Sequence, residues 1–243
     1  MEGPENITLS RTSDYFSHLA EELSNLRIQD TFTDIVLYAG DQSFRCHKVI
    51  LAVNSPVLKA MLTTDMKEST TQEVKLDNIN AEVMKTLIDY MYSGTITIPK
   101  GQLMETMIAA DYLNLLELKK MCLKEVPGIL HTSNVISWFK VSEKMQLDSI
   151  RKTCLKLMSN FISKVTEETE FLDLSSNEIV DFVKELCING VASDDLLKSV
   201  ILWLSYDVTN RVSNMEDLIH LVQLEHCSNK TLKSIFWKKY DSI

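Results

Sequence analysis

Glycine and proline are scarce in this chain, with six glycines and four prolines among 243 residues. Both residue types interrupt helices and strands, so their scarcity predicts many helices joined by short connections. The hydrophobic fraction of 45% and the charged fraction of 24% are ordinary for a globular protein and argue against disorder. A chain of this length forms one large domain or two of ordinary size.

Long apolar runs and paired cysteines are also missing. No apolar run has the length needed to cross a membrane, and the polar N-terminus does not resemble a signal peptide. The five cysteines are odd in number and never occur in a C-x-x-C spacing, which predicts reduced thiols rather than a disulfide framework. We therefore expect a soluble protein of the cytoplasm, with the nucleus as a second location, and no membrane partner.

An excess of basic residues is missing as well. The chain has 25 basic and 34 acidic residues, for a net charge of −9. Proteins that bind nucleic-acid phosphates normally present a basic face. The sequence therefore predicts no nucleic-acid partner.

The usual catalytic and metal-binding patterns do not occur. There is no glycine-rich phosphate loop, no H-E-x-x-H and no G-x-S-x-G. His47 directly follows Cys46, and neighbours on a strand point to opposite faces, so the two cannot form a nucleophile–base pair. His226 and Cys227 fall short of the four ligands of a structural zinc site. We expect neither catalysis nor a cofactor nor a bound metal.

What the sequence does contain is a dense group of structural signals within residues 34–62. Alternating apolar and β-branched residues on both sides of Gly40 predict a β-hairpin. After His47 the apolar residues recur at helical spacing. Ser55 and Pro56 then provide an N-cap and a first helical position. This region therefore predicts a hairpin followed by two short helices.

The flanking segments continue this mixed pattern. Residues 12–27 predict an amphipathic helix, whose apolar stripe consists of Phe16, Leu19, Leu23 and Leu26. Further signals predict strands at residues 73–76 and 95–98, and helices at residues 80–94, 103–111 and 115–125. Val126, Pro127 and Gly128 form the predicted domain boundary, because proline and glycine together stop a helix.

The segments after residue 128 all have helical periodicity. Ser175 with Glu178, and Ser213 with Glu216, match the capping-box pattern that precedes a helix. This half of the chain is therefore predicted to be all-helical.

Two parts of the chain resemble a known pair of domains. The segments FRCHKVILAVNSPVL, MYSGTITI and AADYLNL look like the BTB (POZ) domain, and the resemblance covers residues 10–126. The later segments TSNVISWFKVSEKMQLDSIRKTCLKLMSNFISKV, VASDDLLKSVILWLSYDVTNR and MEDLIHLVQLEHCS are similar to the BACK domain of kelch-like proteins. The resemblance implies an α+β BTB domain at residues 1–126 and an all-α BACK domain at residues 127–243.

The same resemblance implies two interaction surfaces. In such proteins the first helix and two charged positions contact a second copy, which here implies Phe16, Leu19, Leu23, Asp34 and Lys48. A hydrophobic-x-Glu motif and nearby helices grip cullin-3, which here implies Leu58, Leu62, Met66, Glu68 and Tyr112. Three alternatives stay open. The first helix could cover its own domain, Asp34 and Lys48 could form an intramolecular ion pair, and Tyr112 could cover its own helices.

The resemblance implies a non-catalytic adaptor of an E3 ubiquitin ligase. Such a protein homodimerises, binds the cullin-3 N-terminal domain and holds a substrate through kelch repeats. No repeat of propeller type occurs in these 243 residues, so the substrate would bind a region outside this chain. Two alternatives remain: an oligomerisation module of a transcriptional regulator, and a receptor-less competitor for cullin-3. A piece of a longer kelch-like protein is a simpler explanation than such a competitor.

Overall fold

The computed structural model describes residues 14–63 and 72–237. The chain divides into two compact units, Met1–Glu125 and Val126–Ile243. The first unit combines helices with a small sheet, and the described residues of the second form helices and turns but no strand. The predicted fold class, an α+β unit followed by an all-α unit, is confirmed.

Three strands form the sheet of the first unit, in the order β2–β1–β3. β1 (Ile35–Ala39) pairs antiparallel with β2 (Gln42–Cys46) and parallel with β3 (Glu73–Lys75). Gly40 has a φ of +54°, in the left-handed region that glycine adopts at little cost in a tight turn. Leu37, in the middle of the central strand, is fully buried. The predicted hairpin and the strand after it are confirmed.

Helices make up most of the remaining described part of the first unit: α1 (Asp14–Ile28), α2 (Lys48–Asn54), α3 (Pro56–Thr63), α4 (Ala81–Ser93), α5 (Leu103–Tyr112) and the larger part of α6 (Leu116–Ile129), which extends past Glu125. The Asn80 side chain caps α4 by accepting a hydrogen bond from the backbone N–H of Glu82 at 2.8 Å. Gly94 ends this helix with a φ of +71°. Both ends of α4 agree with the sequence prediction.

Two predictions around these elements are wrong. The predicted end of the helix at residue 125 is wrong, since α6 continues through Pro127 to Ile129. Pro127 lies in the last turn, so the backbone hydrogen bond that it cannot donate is one of the last in the helix. Residues 95–98 lie outside any strand of the described sheet. Their alternating pattern has no pairing strand among the described residues, and alternation alone does not hold a strand.

The described part of the second unit contains α7 (Val135–Lys144), α8 (Asp148–Asn160), α9 (Ile162–Val165), α10 (Thr169–Leu172), α11 (Ser176–Ile188), α12 (Ser193–Tyr206), α13 (Val208–Arg211), α14 (Met215–Val222) and α15 (Asn229–Trp237). Trp138 and Trp203 are its largest fully buried side chains. The hydrophobic core of this unit is therefore built around two tryptophans. In the ranges that the structure describes, no helix combines the length and the apolarity needed to span a membrane.

Ser175 and Glu178 form the predicted capping box at the start of α11. The Glu178 carboxylate accepts hydrogen bonds from the backbone N–H and the hydroxyl of Ser175, at 2.8 and 2.7 Å. Lys140 Nζ lies 2.7 Å from its other oxygen. The hydrogen bond from Lys140, followed by those from Ser175, lowers the pKa of Glu178 to about 2. The second predicted box, at Ser213 and Glu216, is wrong, because α14 has no side-chain cap and follows a 3-10 turn.

Replacing Glu178 with glutamine should destabilise the second unit by about 1 kcal/mol near pH 6. The side chain is 41% exposed, and solvent screening keeps the effect this small. The folded pKa of about 2 lies below the ordinary value of 4.5. The stabilisation is therefore complete above that ordinary value and is lost as the pH falls toward 2.

Urea unfolding of both proteins between pH 6 and pH 3 checks this prediction. The difference in unfolding free energy should shrink as the pH decreases. The exposed Glu216→Gln variant loses the same charge and serves as the control. A wild-type advantage that stays constant over this range would contradict the prediction.

Candidate protein-interaction surfaces

α3 carries two of the residues predicted to contact cullin-3. Leu58 is 0% exposed and Leu62 is 8% exposed, because residues four positions apart lie on one face of a helix, here the face toward the core. Met66 and Glu68, the centre of the predicted motif, lie outside the described residues. Leu58 and Leu62 therefore hold α3 in its unit, and their contact with a partner stays a prediction. The side chains that α3 exposes are Pro56, Lys59, Ala60 and Thr63.

Tyr112, the fifth predicted contact, is the last residue of α5 and lies shortly before α6, and it is 45% exposed. Ile108, one turn earlier, is 42% exposed, and Leu116 is 57% exposed. Leu113 lies fully buried between them and anchors the backbone in the core. We call residues 108–116 the Tyr112 corner. It presents aromatic and aliphatic side chains to solvent from a fixed backbone.

Ser55 joins this corner to the start of α3. Its hydroxyl donates to the carbonyl oxygen of Leu113 at 2.6 Å and accepts from the backbone N–H of Leu58 at 3.0 Å. Ser55 is fully buried, so one hydroxyl caps the helix and fixes the corner. The N-cap predicted at Ser55 is confirmed. The bond to Leu113 was not predicted, because the two residues are 58 positions apart.

α1 carries the predicted dimer contacts. Phe16 is 73% exposed, Leu19 is 39% exposed and Leu23 is half-buried. No residue of this helix is fully buried. Adjoining apolar side chains exposed on one helix are a feature of association sites. Phe16 and Leu19 are therefore accessible to a second copy, and the dimer contact itself stays a prediction.

Asp34 and Lys48 meet through a backbone group rather than through their charges. Asp34 Oδ1 accepts a hydrogen bond from the backbone N–H of Lys48 at 2.7 Å. Lys48 is the first residue of α2, so the carboxylate satisfies a free N–H and interacts favourably with the helix dipole. Asp34 thus fixes the start of α2. A role of this pair in dimerisation stays a prediction.

A buried polar network lies next to the C-terminal end of α1, and the sequence did not predict it. The Tyr92 hydroxyl accepts from the backbone N–H of His47 and contacts His47 Nδ1, both at 2.8 Å. His47 Nε2 lies 2.9 Å from the carbonyl oxygen of Thr31. A carbonyl only accepts, so Nε2 carries a proton and donates to Thr31. Burial is the main cause that raises the pKa of Tyr92 to about 12, so its hydroxyl keeps its proton at neutral pH.

Arg27 extends this network from α1. Its guanidinium carbon lies 5.0 Å from the centroid of the Tyr92 ring, and its Nη2 donates to Asp89 Oδ1. The sequence signal for these contacts of Arg27 was a single arginine directly after the last residue of the apolar stripe. Helical periodicity treats such a residue as merely polar, so the contact could not be foreseen.

The thiols have the properties of core side chains. Burial raises the pKa of Cys46 and Cys154 to about 12 and that of Cys122 to about 11. The thiolate is the nucleophilic form of cysteine, so these three are unreactive at neutral pH. Over residues 14–63 and 72–237, no group of three His, Cys, Asp or Glu side chains could hold a metal ion.

Comparison with known families identifies both units. Residues 23–130 match the family model of the BTB/POZ domain. Residues 135–236 match the family model BACK, described as BTB And C-terminal Kelch. The two matches define the class of protein: a BTB/POZ domain followed by a BACK domain.

Individual relatives narrow this class. Kelch-like protein 23 of Mus musculus is 26% identical over 229 residues, which are 90% of this chain and 41% of that protein. Kelch-like protein 38 of Danio rerio is 26% identical over 210 residues, which are 86% of this chain and 36% of that protein. The solved BTB domain of zebrafish PATZ1 has 22% identity and a TM-score of 0.45, and the match covers 49% of this chain and 98% of that one.

The chain therefore combines a BTB/POZ domain with a BACK domain and is similar to kelch-like proteins. The chain spans about two fifths of the length of the two kelch-like relatives.

Proposed function

We propose that this chain is a homodimeric adaptor that binds the cullin-3 N-terminal domain and so assembles an E3 ubiquitin ligase. Its BTB/POZ and BACK domains and its similarity to kelch-like proteins support the adaptor role. The observation that carries the proposal is the Tyr112 corner, an exposed apolar surface that the buried Leu113 and its hydrogen bond from Ser55 hold beside α3. The mechanism is proximity: the adaptor holds a substrate near the enzyme that carries ubiquitin and contributes no reacting group itself.

The Tyr112 corner has the composition of a binding site. Tyr112 and Ile108 offer apolar area, and Lys119 Nζ lies 2.6 Å from Asp111 Oδ1 on its polar edge. An aromatic anchor with a charged rim is typical of interface hot spots. Met66 and Glu68 would add an apolar anchor and a hydrogen-bond acceptor on the segment after α3.

Self-association is the second part of the proposal. The exposed residues of the α1 stripe would bury apolar area against the same helix of a second copy in a two-fold arrangement. The dimer would then carry two cullin-3 sites. The substrate would bind a region outside these 243 residues. Free cysteines are compatible with a reducing compartment, so we place the protein in the cytoplasm, with the nucleus as a second location.

Calorimetric titration with the cullin-3 N-terminal domain tests the partner. The wild-type chain should bind with nanomolar to low-micromolar strength. The Met66→Ala/Glu68→Ala variant should bind about tenfold more weakly or worse, a loss of about 1.4 kcal/mol. Tyr112→Ala, which truncates the exposed corner, should weaken binding by a similar factor. Light scattering on the same samples reports the dimer.

The second unit supplies a matched control. Met215 is 45% exposed and precedes the exposed Glu216, so Met215→Ala/Glu216→Ala removes the same two side-chain types elsewhere and should leave binding unchanged. A folded wild-type dimer that does not bind cullin-3 would contradict the proposal. Corepressor-type peptides, the ligands expected of a transcriptional regulator, would then be tested next.

A further inference from the structure

The apolar stripe of α1 changes its exposure along the helix. Phe16 and Leu19, in the N-terminal half, are 73% and 39% exposed, whereas Leu23 and Leu26 are half-buried. The helix packs against α4 without burying any side chain completely. Apolar burial alone therefore gives α1 little attachment to its unit.

Polar contacts fix the C-terminal end of α1. Arg27 donates to Asp89 on α4, and its guanidinium carbon lies over the ring of Tyr92 on the same helix, 5.0 Å from the ring centroid. The Arg27 side chain is only 15% exposed, although Asp89 is 47% exposed. A cation over a ring gains strength when it is shielded from water. Arg27 therefore contributes two polar contacts between this end of the helix and α4.

The ring beneath Arg27 is itself held in place. The Tyr92 hydroxyl is hydrogen-bonded to His47, and His47 Nε2 donates to the carbonyl oxygen of Thr31. The backbone N–H of Thr31 in turn donates to the carbonyl oxygen of Leu26 at 2.9 Å. Together these contacts form a closed chain. It runs from Leu26 of α1 through Thr31, His47 and Tyr92 and returns to α1 at Arg27. Such a closed chain of contacts gives the end of α1 one fixed position on α4.

The chemistry of this position favours arginine over lysine. Arg27 Nε is buried and has no hydrogen-bond partner in the part of the chain that the structure describes. An unpaired buried donor costs free energy, so the number of hydrogen bonds does not account for an arginine here. A guanidinium group spreads one positive charge over several nitrogens, so its carbon can lie over the Tyr92 ring while Nη2 reaches Asp89. An ammonium group is a single point charge and cannot make both contacts in this way.

We propose that Arg27 is a positioning residue for self-association: it fixes the C-terminal end of α1 on α4, so that Phe16 and Leu19 face a second copy in a defined place. This inference rests on the dimer in the proposed function. Without Arg27, α1 would have to be ordered when the two copies meet. That ordering cost lowers affinity.

Two measurements on the whole chain test this role. Arg27→Ala should raise the dimer dissociation constant by about tenfold, measured by analytical ultracentrifugation. In the same variant, hydrogen exchange at the amides of residues 15–28 should accelerate by about tenfold, while exchange in β1 stays at the wild-type rate. Arg27→Lys keeps the positive charge but loses the planar guanidinium group, and it should raise the dissociation constant by about threefold. Lys85→Ala removes an exposed positive charge from α4 and should change neither quantity.

The possible outcomes separate this inference from the proposed function. A dimeric wild type whose Arg27→Ala variant has the wild-type dissociation constant would overturn the inference and leave the adaptor proposal intact. A monomeric wild type would overturn the dimer, and hydrogen exchange in α1 would still decide whether Arg27 holds the helix. If Arg27→Ala does not fold, Arg27→Lys and Asp89→Asn undergo the same measurements. Wild-type values in both would overturn the inference.

Discussion

Replacing Leu58 with alanine should lower the free energy of unfolding of the BTB unit by about 2–5 kcal/mol. Leu58 is 0% exposed, so truncation leaves a cavity in the core in addition to the lost apolar burial. Urea unfolding followed by circular dichroism measures the effect. Lys59→Ala, on the exposed side of the same helix, is the matched control and should stay within about 0.5 kcal/mol of wild type.

The same variant decides between two roles for Leu58. If the Leu58 side chain supports cullin-3 binding only by holding α3 in place, the variant should lose binding together with stability. Binding should then recover under conditions that keep the variant folded. A variant of unchanged stability that no longer binds cullin-3 would contradict the core role. It would mean that α3 exposes Leu58 to the partner.

Replacing Trp203 with alanine should destabilise the BACK unit by about 3–5 kcal/mol. Trp203 is 1% exposed, and its indole N–H donates to the carbonyl oxygen of Leu174 at 2.8 Å. The guanidinium carbon of Arg211 lies 4.2 Å from its ring centroid. Truncation therefore removes packing, a buried hydrogen bond and a cation–π contact together.

Trp203→Phe is the matched variant, because it keeps most of the apolar volume and loses the indole N–H. Thermal unfolding followed by circular dichroism should place it between wild type and Trp203→Ala. An alanine variant no less stable than the phenylalanine variant would show that packing around the ring contributes little. The core role assigned to Trp203 would then be wrong.

Local signals were enough to predict most of the fold. The turn at Gly40, the cap at Asn80 and the capping box at Ser175 each depend on residues within four positions of one another. The predictions that failed were also local. Pro127 and residues 95–98 carried strong signals, but whether a helix continues or a strand finds a partner depends on tertiary contacts that a short window does not contain.

The interaction surfaces were predicted from family resemblance rather than from periodicity. The exposure of Phe16 and Tyr112 is compatible with that prediction, whereas the burial of Leu58 follows from its place on the inner face of α3. The contacts of the polar network could not be predicted. His47 and Tyr92 are 45 positions apart, and no sequence pattern records such a pairing.

The double use of the Ser55 hydroxyl has a consequence for the thermodynamics of association. It links the start of α3 to the Tyr112 corner within the folded unit, so this part of the surface is already ordered before a partner arrives. A partner that docks there would lose little backbone entropy on the adaptor side. More of the contact energy would then remain as affinity. The folding of the BTB unit thus prepares part of the binding surface in advance.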